Sequence, residues 1–168
     1  ISYISIYSKP NTRVSASYWI HKNIPKGSVI AIEHWDDSLP VYEGNEYIHV
    51  TLPMYDPDLP IKWETINNAL KQADYLILAS NRLYGPLQIL TNCSVLPAGK
   101  CYEQTAQYYK DLFSGQLGFK KVAEFTSYPV LPFLNVPIVD DKAAEDFTVF
   151  DHPKIMVFKK IDLGKLTY

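Results

Sequence analysis

The segment from Trp63 to Ala79 constrains the fold more tightly than any other part of this chain. Trp63, Ile66, Leu70 and Ala73 recur at helical spacing, Asp74 interrupts, and Tyr75-Leu76-Ile77-Leu78-Ala79 follows as an apolar run. Spacings of three and four mark the inner face of a surface helix. A short run with no alternation has the length of a strand buried on both sides. Such a strand needs cover above and below, and a helix leading straight into it is the unit of a layered α/β architecture.

The same unit occurs upstream. Asn11 and Thr12 are candidate N-caps, their side-chain oxygens able to accept an amide of the first turn. Val14 and Tyr18 lie on one row, Ala16, Ile20 and Ile24 on the next, and Pro25-Lys26-Gly27 stops the helix before the β-branched run Ser28-Val29-Ile30-Ala31-Ile32. Strands are expected at 28–33, 47–52, 75–80 and 120–127, and helices near 12–24, 62–73 and 102–114, the last closed by Gly115 or Gly118. Pro129, Pro132 and Pro137 keep 129–137 out of a sheet centre. Phe147–Phe150 and Ile155–Phe158 flank Asp151-His152-Pro153-Lys154, whose residue types make turns, so a hairpin 147–150/155–160 is expected at a sheet edge. The expected fold is therefore α/β, Rossmann-like and layered, a mostly parallel sheet with a C-terminal edge hairpin, in one domain over 11–168.

The 168 residues suffice for a single core. Sixteen Lys+Arg against eighteen Asp+Glu give a net charge of −2, which offers no bulk attraction to nucleic acid or anionic lipid. No apolar run reaches the roughly 18 residues a membrane helix needs. The chain opens on Ile1 without Met and reads as a piece of a longer protein. Cys93 and Cys101 lack C-x-x-C spacing; a local disulfide and two unlinked thiols both remain open.

In open α/β sheets ligands sit beyond the carboxyl ends of the strands. That rule selects Glu33-His34-Trp35-Asp36-Asp37, Ser80-Asn81-Arg82-Leu83-Tyr84 and Thr126-Ser127-Tyr128, with the loop after Leu52 as a fourth candidate segment. Carboxylates and an imidazole in the first could hold a hard cation, or hydrogen-bond sugar hydroxyls while Trp35 stacks on a pyranose face. The plainer alternative is an acidic loop in which an aspartate caps a turn and Trp35 closes the core. Arg82 could clamp an anion or pair with Asp36 or Asp37 across the crevice. His34, Trp35, Asp36, Asp37, Asn81, Arg82 and Tyr84 are the ligand-binding candidates. No G-x-G-x-x-G, P-loop, G-x-S-x-G or H-E-x-x-H motif is present, and the four histidines show no metal-ligand spacing. No catalytic residue, metal ligand or cofactor is assigned.

The stretches Asn11-Thr12-Arg13-Val14, Trp19-Ile20-His21-Lys22-Asn23-Ile24-Pro25-Lys26-Gly27 and Glu33-His34-Trp35-Asp36-Asp37, with Ser80–Tyr84, Glu124–Pro129 and Phe147–Lys154, carry a family resemblance. The chain resembles, over roughly residues 10–160, the soluble C-terminal region of polytopic GT-C-type membrane glycosyltransferases related to the dolichyl-phosphate-mannose protein mannosyltransferases (glycosyltransferase family 39). The resemblance implies a parent enzyme that moves a sugar from a polyprenyl-phosphate donor to an acceptor outside the cytoplasm. The family's catalytic acid lies in an early external loop that this chain does not contain. Residues 1–10 would then be the stub after the last transmembrane helix, and the domain an extracytoplasmic, non-catalytic accessory. Its partners would be the transmembrane part of the same polypeptide and a glycan or lipid-linked sugar, with no nucleic acid, and a Cys93–Cys101 disulfide is chemically allowed there. The alternative is a stand-alone α/β protein that binds a small ligand or nucleotide-sugar.

Overall fold

A computed structural model describes residues 2–41, 46–131 and 133–161. Ile1 of the expected 1–10 stub and residues 162–168 of the expected domain lie outside the described residues. In chain order, after a 3-10 helix at Tyr3–Ser8, come α1 (Thr12–Asn23), β1 (Val29–Glu33), β2 (Ile48–Leu52), α2 (Pro60–Gln72), β3 (Tyr75–Leu78), α3 (Tyr84–Leu87), α4 (Glu103–Ser114) and β4 (Phe119–Phe125). A short hairpin of β5 (Val130–Leu131) and β6 (Val136–Pro137), then α5 (Glu145–Thr148) and β7 (Ile155–Lys160), complete the order.

The main sheet has the order β2-β1-β3-β7-β4. β1 pairs in parallel with β2 and β3, while β7 runs antiparallel to both β3 and β4, so four strands share one direction and only β7 is reversed. Alternate side chains go to opposite layers. Ile30, Ile32, Tyr75, Ile77, Ile155 and Val157 meet Ala16 and Ile20 of α1 and its C-capping Ile24 on one face. Ala31, Leu76, Leu78, Met156 and Phe158 meet Ile66, Leu70, Tyr109 and Leu112 of α2 and α4 on the other. The period-2 alternation of a strand produces this two-faced core directly.

Local chemistry sets the ends of the elements. Asn11 caps α1, its side chain accepting from the Arg13 amide at 2.9 Å. Gly115 ends α4 in the left-handed region at φ +81°, a conformation glycine adopts at no steric cost.

The expected C-terminal edge hairpin is not formed. Glu145–Thr148 is helical, with Glu145 and Asp146 in its first turn, where negative charge suits the helix dipole. Thr148 and Val149 are buried side by side while Phe147 and Phe150 are exposed, a pattern that period-2 alternation cannot produce. Ile155–Phe158 is buried on both faces and takes a central place in the sheet. The sheet edges are β2 and β4. The amides of Ile155–Phe158 should accordingly exchange with solvent only through global unfolding, measured by native-state hydrogen exchange. Fast exchange of half of them would restore an edge position.

Candidate functional site

Because β1, β3 and β4 run in one direction, the loops after Glu33, Leu78 and Phe125 and the start of β7 lie along one sheet edge. β1 lies between β2 and β3, so the chain leaves it to one side for β2 and then returns to its other side for β3. The link to β2 sends Leu39 into the α1 layer, and α2 returns over the opposite face. A reversal of this kind opens a crevice between the two strand ends. Trp35 stands on one side of it and Arg82 on the other.

The turn after β1 is held by two arginines. Arg13, buried at the start of α1, donates from Nη1 to Val149 O at 2.6 Å. Its guanidinium also lies 3.0 Å from Asp37 and 3.8 Å from Asp36. Arg82 donates from Nη1 to Trp35 O at 2.7 Å and pairs through Nε with Glu145 at 2.7 Å. The expected pairing of Arg82 with Asp36 or Asp37 is therefore not made; the loops do meet, but Arg13 takes the aspartates. Its position beneath the turn lets it reach both carboxylates, whereas Arg82 lies on the crevice side. The Ser80 hydroxyl donates to Asp36 at 2.6 Å, tying the turn to the end of β3. Burial pushes the Asp36 carboxyl up, against the Ser80 hydroxyl, the Asp37 amide and Arg13.

Trp35 occupies an unusual place. Its backbone has φ +78° and its side chain is 64% exposed, stacked on His34 at 5.1 Å between ring centres. It does not close the core. A bulky residue in the left-handed region costs about 1–3 kcal/mol, and such strain collects at functional positions. Trp35 and Arg82 line a cleft of ≈ 680 Å³ together with Tyr55, Asp56, Pro86 and Glu145. The Tyr55–Asp56 wall is fixed from within by the buried Lys62, whose ammonium donates to Met54 O and Asp56 O at 2.8 Å each and to Thr105 Oγ1 at 2.6 Å.

The remaining candidates divide. Asn81 and Tyr84 line a separate polar pit of ≈ 20 Å³, about the room of one water, with Tyr128, Asp140, His152 and Lys154. Tyr84 packs edge-on against Tyr109 and Phe113. Glu33 points away from Asp36 and Asp37 into the α4 layer, where Tyr109 donates to it at 2.6 Å. Glu33 thus points away from the two aspartates, which are taken by Arg13, and the hard-cation reading of this run has no support. Among the described residues, the one grouping of His, Cys, Asp and Glu with converging ligand atoms is Cys93, Cys101 and Glu103, and its two sulfurs are bonded to each other.

Tyr55 and Asp56 lie in the loop after Leu52, which the strand-end rule offered as a segment without singling out residues, whereas Pro86, Glu145 and Arg13 were not selected by the sequence pattern. Glu145 lies in the charged segment before the expected strand at 147–150, and Arg13 in an ordinary first helical turn. Only the assembled edge brings them to the crevice. The chain matches no family model, no curated protein and no solved structure.

Burial pushes Glu33 up to about 8, against the lowering effect of the Tyr109 hydroxyl, and its Oε2 has no partner. The folded state thus keeps the proton that the unfolded chain gives up near its ordinary pKa. The Glu33 contribution to stability is full below that value and falls as pH rises towards 8, with a slope of at most about 1.4 kcal/mol per pH unit. Denaturant titrations across this range should show the fall, and Glu33→Gln should remove that component. A wild-type curve rising from pH 5 to 8, with Glu33→Gln making no difference, would contradict the assignment.

Proposed function

We propose that this domain is a non-catalytic sugar-binding accessory of a GT-C-type membrane glycosyltransferase, facing the extracytoplasmic side. The observation that carries the reading is Trp35, an aromatic ring held in a strained backbone conformation at the open end of the crevice and given no packing role in the core. Sugar rings present apolar C–H faces to aromatic surfaces and hydroxyl rims to polar groups. The cleft supplies both, with Trp35 and Tyr55 as aromatic walls and Asp56, Arg82 and Glu145 as acceptors and donors. Its volume falls within the about 300–1,000 Å³ of small-ligand sites.

The Cys93–Cys101 disulfide supports the extracytoplasmic placement, since such bonds persist in oxidising compartments. The resemblance to the C-terminal regions of these transferases supplies the parent activity, with the transmembrane part of the same polypeptide as the domain's partner. On this reading the purified domain transfers no sugar, because the resemblance places the parent's catalytic acid in an early external loop outside this chain.

A second reading draws on the crevice itself, which in a Rossmann-like layered fold also suits a nucleotide-sugar bound by a stand-alone protein. The turn after β1 weighs against it. A phosphate-binding turn there brings glycine backbone close to the ligand, whereas this one carries Trp35 at the left-handed position.

Trp35→Gly separates strain from function. Glycine relieves the positive φ while removing the ring, so this variant should melt about 2–6 °C higher than wild type. Calorimetric titration with mannose, short mannans and a nucleotide-sugar should show saccharide binding to wild type that weakens at least roughly tenfold in the variant. Equal binding by the two proteins, or preference for the nucleotide-sugar, would overturn the reading.

A further inference from the structure

The hairpin of β5 and β6 leaves the same sheet edge as the crevice and ends in an apolar tip. Phe133 is fully exposed at 107% of its reference area and Leu134 is 70% exposed. Phe133 and Asn135 both have positive φ, +70° and +51°, so the turn is strained in order to project its apolar end. From Ser127 to Val139 the sequence contains no charged residue, and the adjacent segment Ser2–Ser8 contains none. Ile4, Val130, Leu131 and Phe133 line one continuous cleft of ≈ 500 Å³ between this segment and the hairpin. An exposed apolar surface of this extent on a small domain marks a contact with something apolar.

We propose that this hairpin inserts its tip into the interfacial layer of an electrically neutral lipid bilayer. Three observations favour lipid over a protein groove. The first is shape: Phe133 and Leu134 protrude, which suits a fluid medium that closes around them.

The second is the state of the backbone. Apolar surroundings penalise unpaired N–H groups severely. The Val130 amide donates to Ser5 Oγ at 2.8 Å, Asn135 to Leu131 O at 3.2 Å and Ile138 to Pro129 O at 2.7 Å. Pro129, Pro132 and Pro137 have no N–H to leave unpaired.

The third is the rim. Tyr3, Tyr7 and Tyr128 form a boundary of amphipathic rings whose hydroxyls donate to Asp151, Asp151 and Asp141 at 2.7 Å each, the arrangement of an aromatic interfacial belt. The rim carboxylates are occupied in turn, Asp140 by His152 and Asp141 by Lys154, each at 2.9 Å. Among the described residues, His152 and Lys154 at this rim are thus engaged by carboxylates rather than offered to anionic lipid, and the affinity comes from apolar burial.

The proposal stands independently of what fills the Trp35 cleft: vesicle binding reports on the hairpin, and saccharide titration on the crevice. The test is flotation of the 168-residue chain with phosphatidylcholine vesicles, with and without added phosphatidylglycerol, at low and high salt. Wild type should float with phosphatidylcholine alone and remain bound in high salt. The double variant Phe133→Asp/Leu134→Asp should bind at least roughly tenfold more weakly. As an independent probe, Phe133→Trp should acquire a vesicle-dependent blue shift in emission beyond that of wild type.

No flotation of wild type on either vesicle would overturn the proposal. So would salt-sensitive binding that requires phosphatidylglycerol and ignores the double substitution. Self-association of wild type without flotation, abolished by the double substitution, would assign the surface to a second copy of this chain and equally overturn it.

Discussion

The buried guanidinium of Arg13 is the contact on which the functional edge depends. It binds three separate pieces of chain: its own helix, the turn after β1 through Asp36 and Asp37, and the segment before β7 through Val149 O. Burying a charge is tolerated only when it is paired and hydrogen-bonded, and removing one partner leaves the other uncompensated at a cost of about 3–5 kcal/mol. Asp36 is held by the Ser80 hydroxyl and lies near Arg13, which Asp37 also engages, so the turn is tied at two consecutive residues. Arg82 then fixes the Trp35 carbonyl from the crevice side. Between the two arginines, a conformation that disfavours a bulky residue becomes the one the turn adopts.

This division of labour explains why a dense polar run behaves as it does. Of the five residues from Glu33 to Asp37, Glu33 serves the core beside Tyr109, and Asp36 and Asp37 serve Arg13. His34 and Trp35 are left facing solvent, stacked on each other. The carboxylates that suggested metal binding are the fixings of a turn whose exposed product is an aromatic face. The apolar hairpin leaves the same edge, so the Trp35 face and the hairpin tip lie at one end of the sheet strands.

Much of the fold was legible because the layered core imposes strict periods. Helices over Thr12–Asn23, Pro60–Gln72 and Glu103–Ser114, and strands at Val29–Glu33, Ile48–Leu52, Tyr75–Leu78 and Phe119–Phe125, form near the places expected, although Tyr18 of the expected Val14–Tyr18 row and Val122 of the last strand face solvent. Where composition and burial disagree, the sequence misleads. Phe147-Thr148-Val149-Phe150 has strand-forming residues but sits over Arg13, and burying two consecutive residues there favours a helical turn. The central position of β7 depends on pairing across the chain, which local pattern does not encode. At the site, Trp35 and Arg82 were visible because each follows a buried strand, and the loop carrying Tyr55 and Asp56 because it follows the strand ending at Leu52, while Glu145 enters the cleft through a connection whose course only tertiary packing determines.

The central claim is that the clamped turn presents Trp35 to a sugar within the crevice between β1 and β3. Backbone amide chemical-shift mapping during a mannan titration tests it most directly. The account predicts perturbations concentrated at residues 34–37, 55–56, 82–86 and 145, with the β2 and β4 edges unchanged. Shifts centred on the polar pit at Asn81, Tyr128 and His152 instead, or an unperturbed spectrum at saturating saccharide, would contradict it.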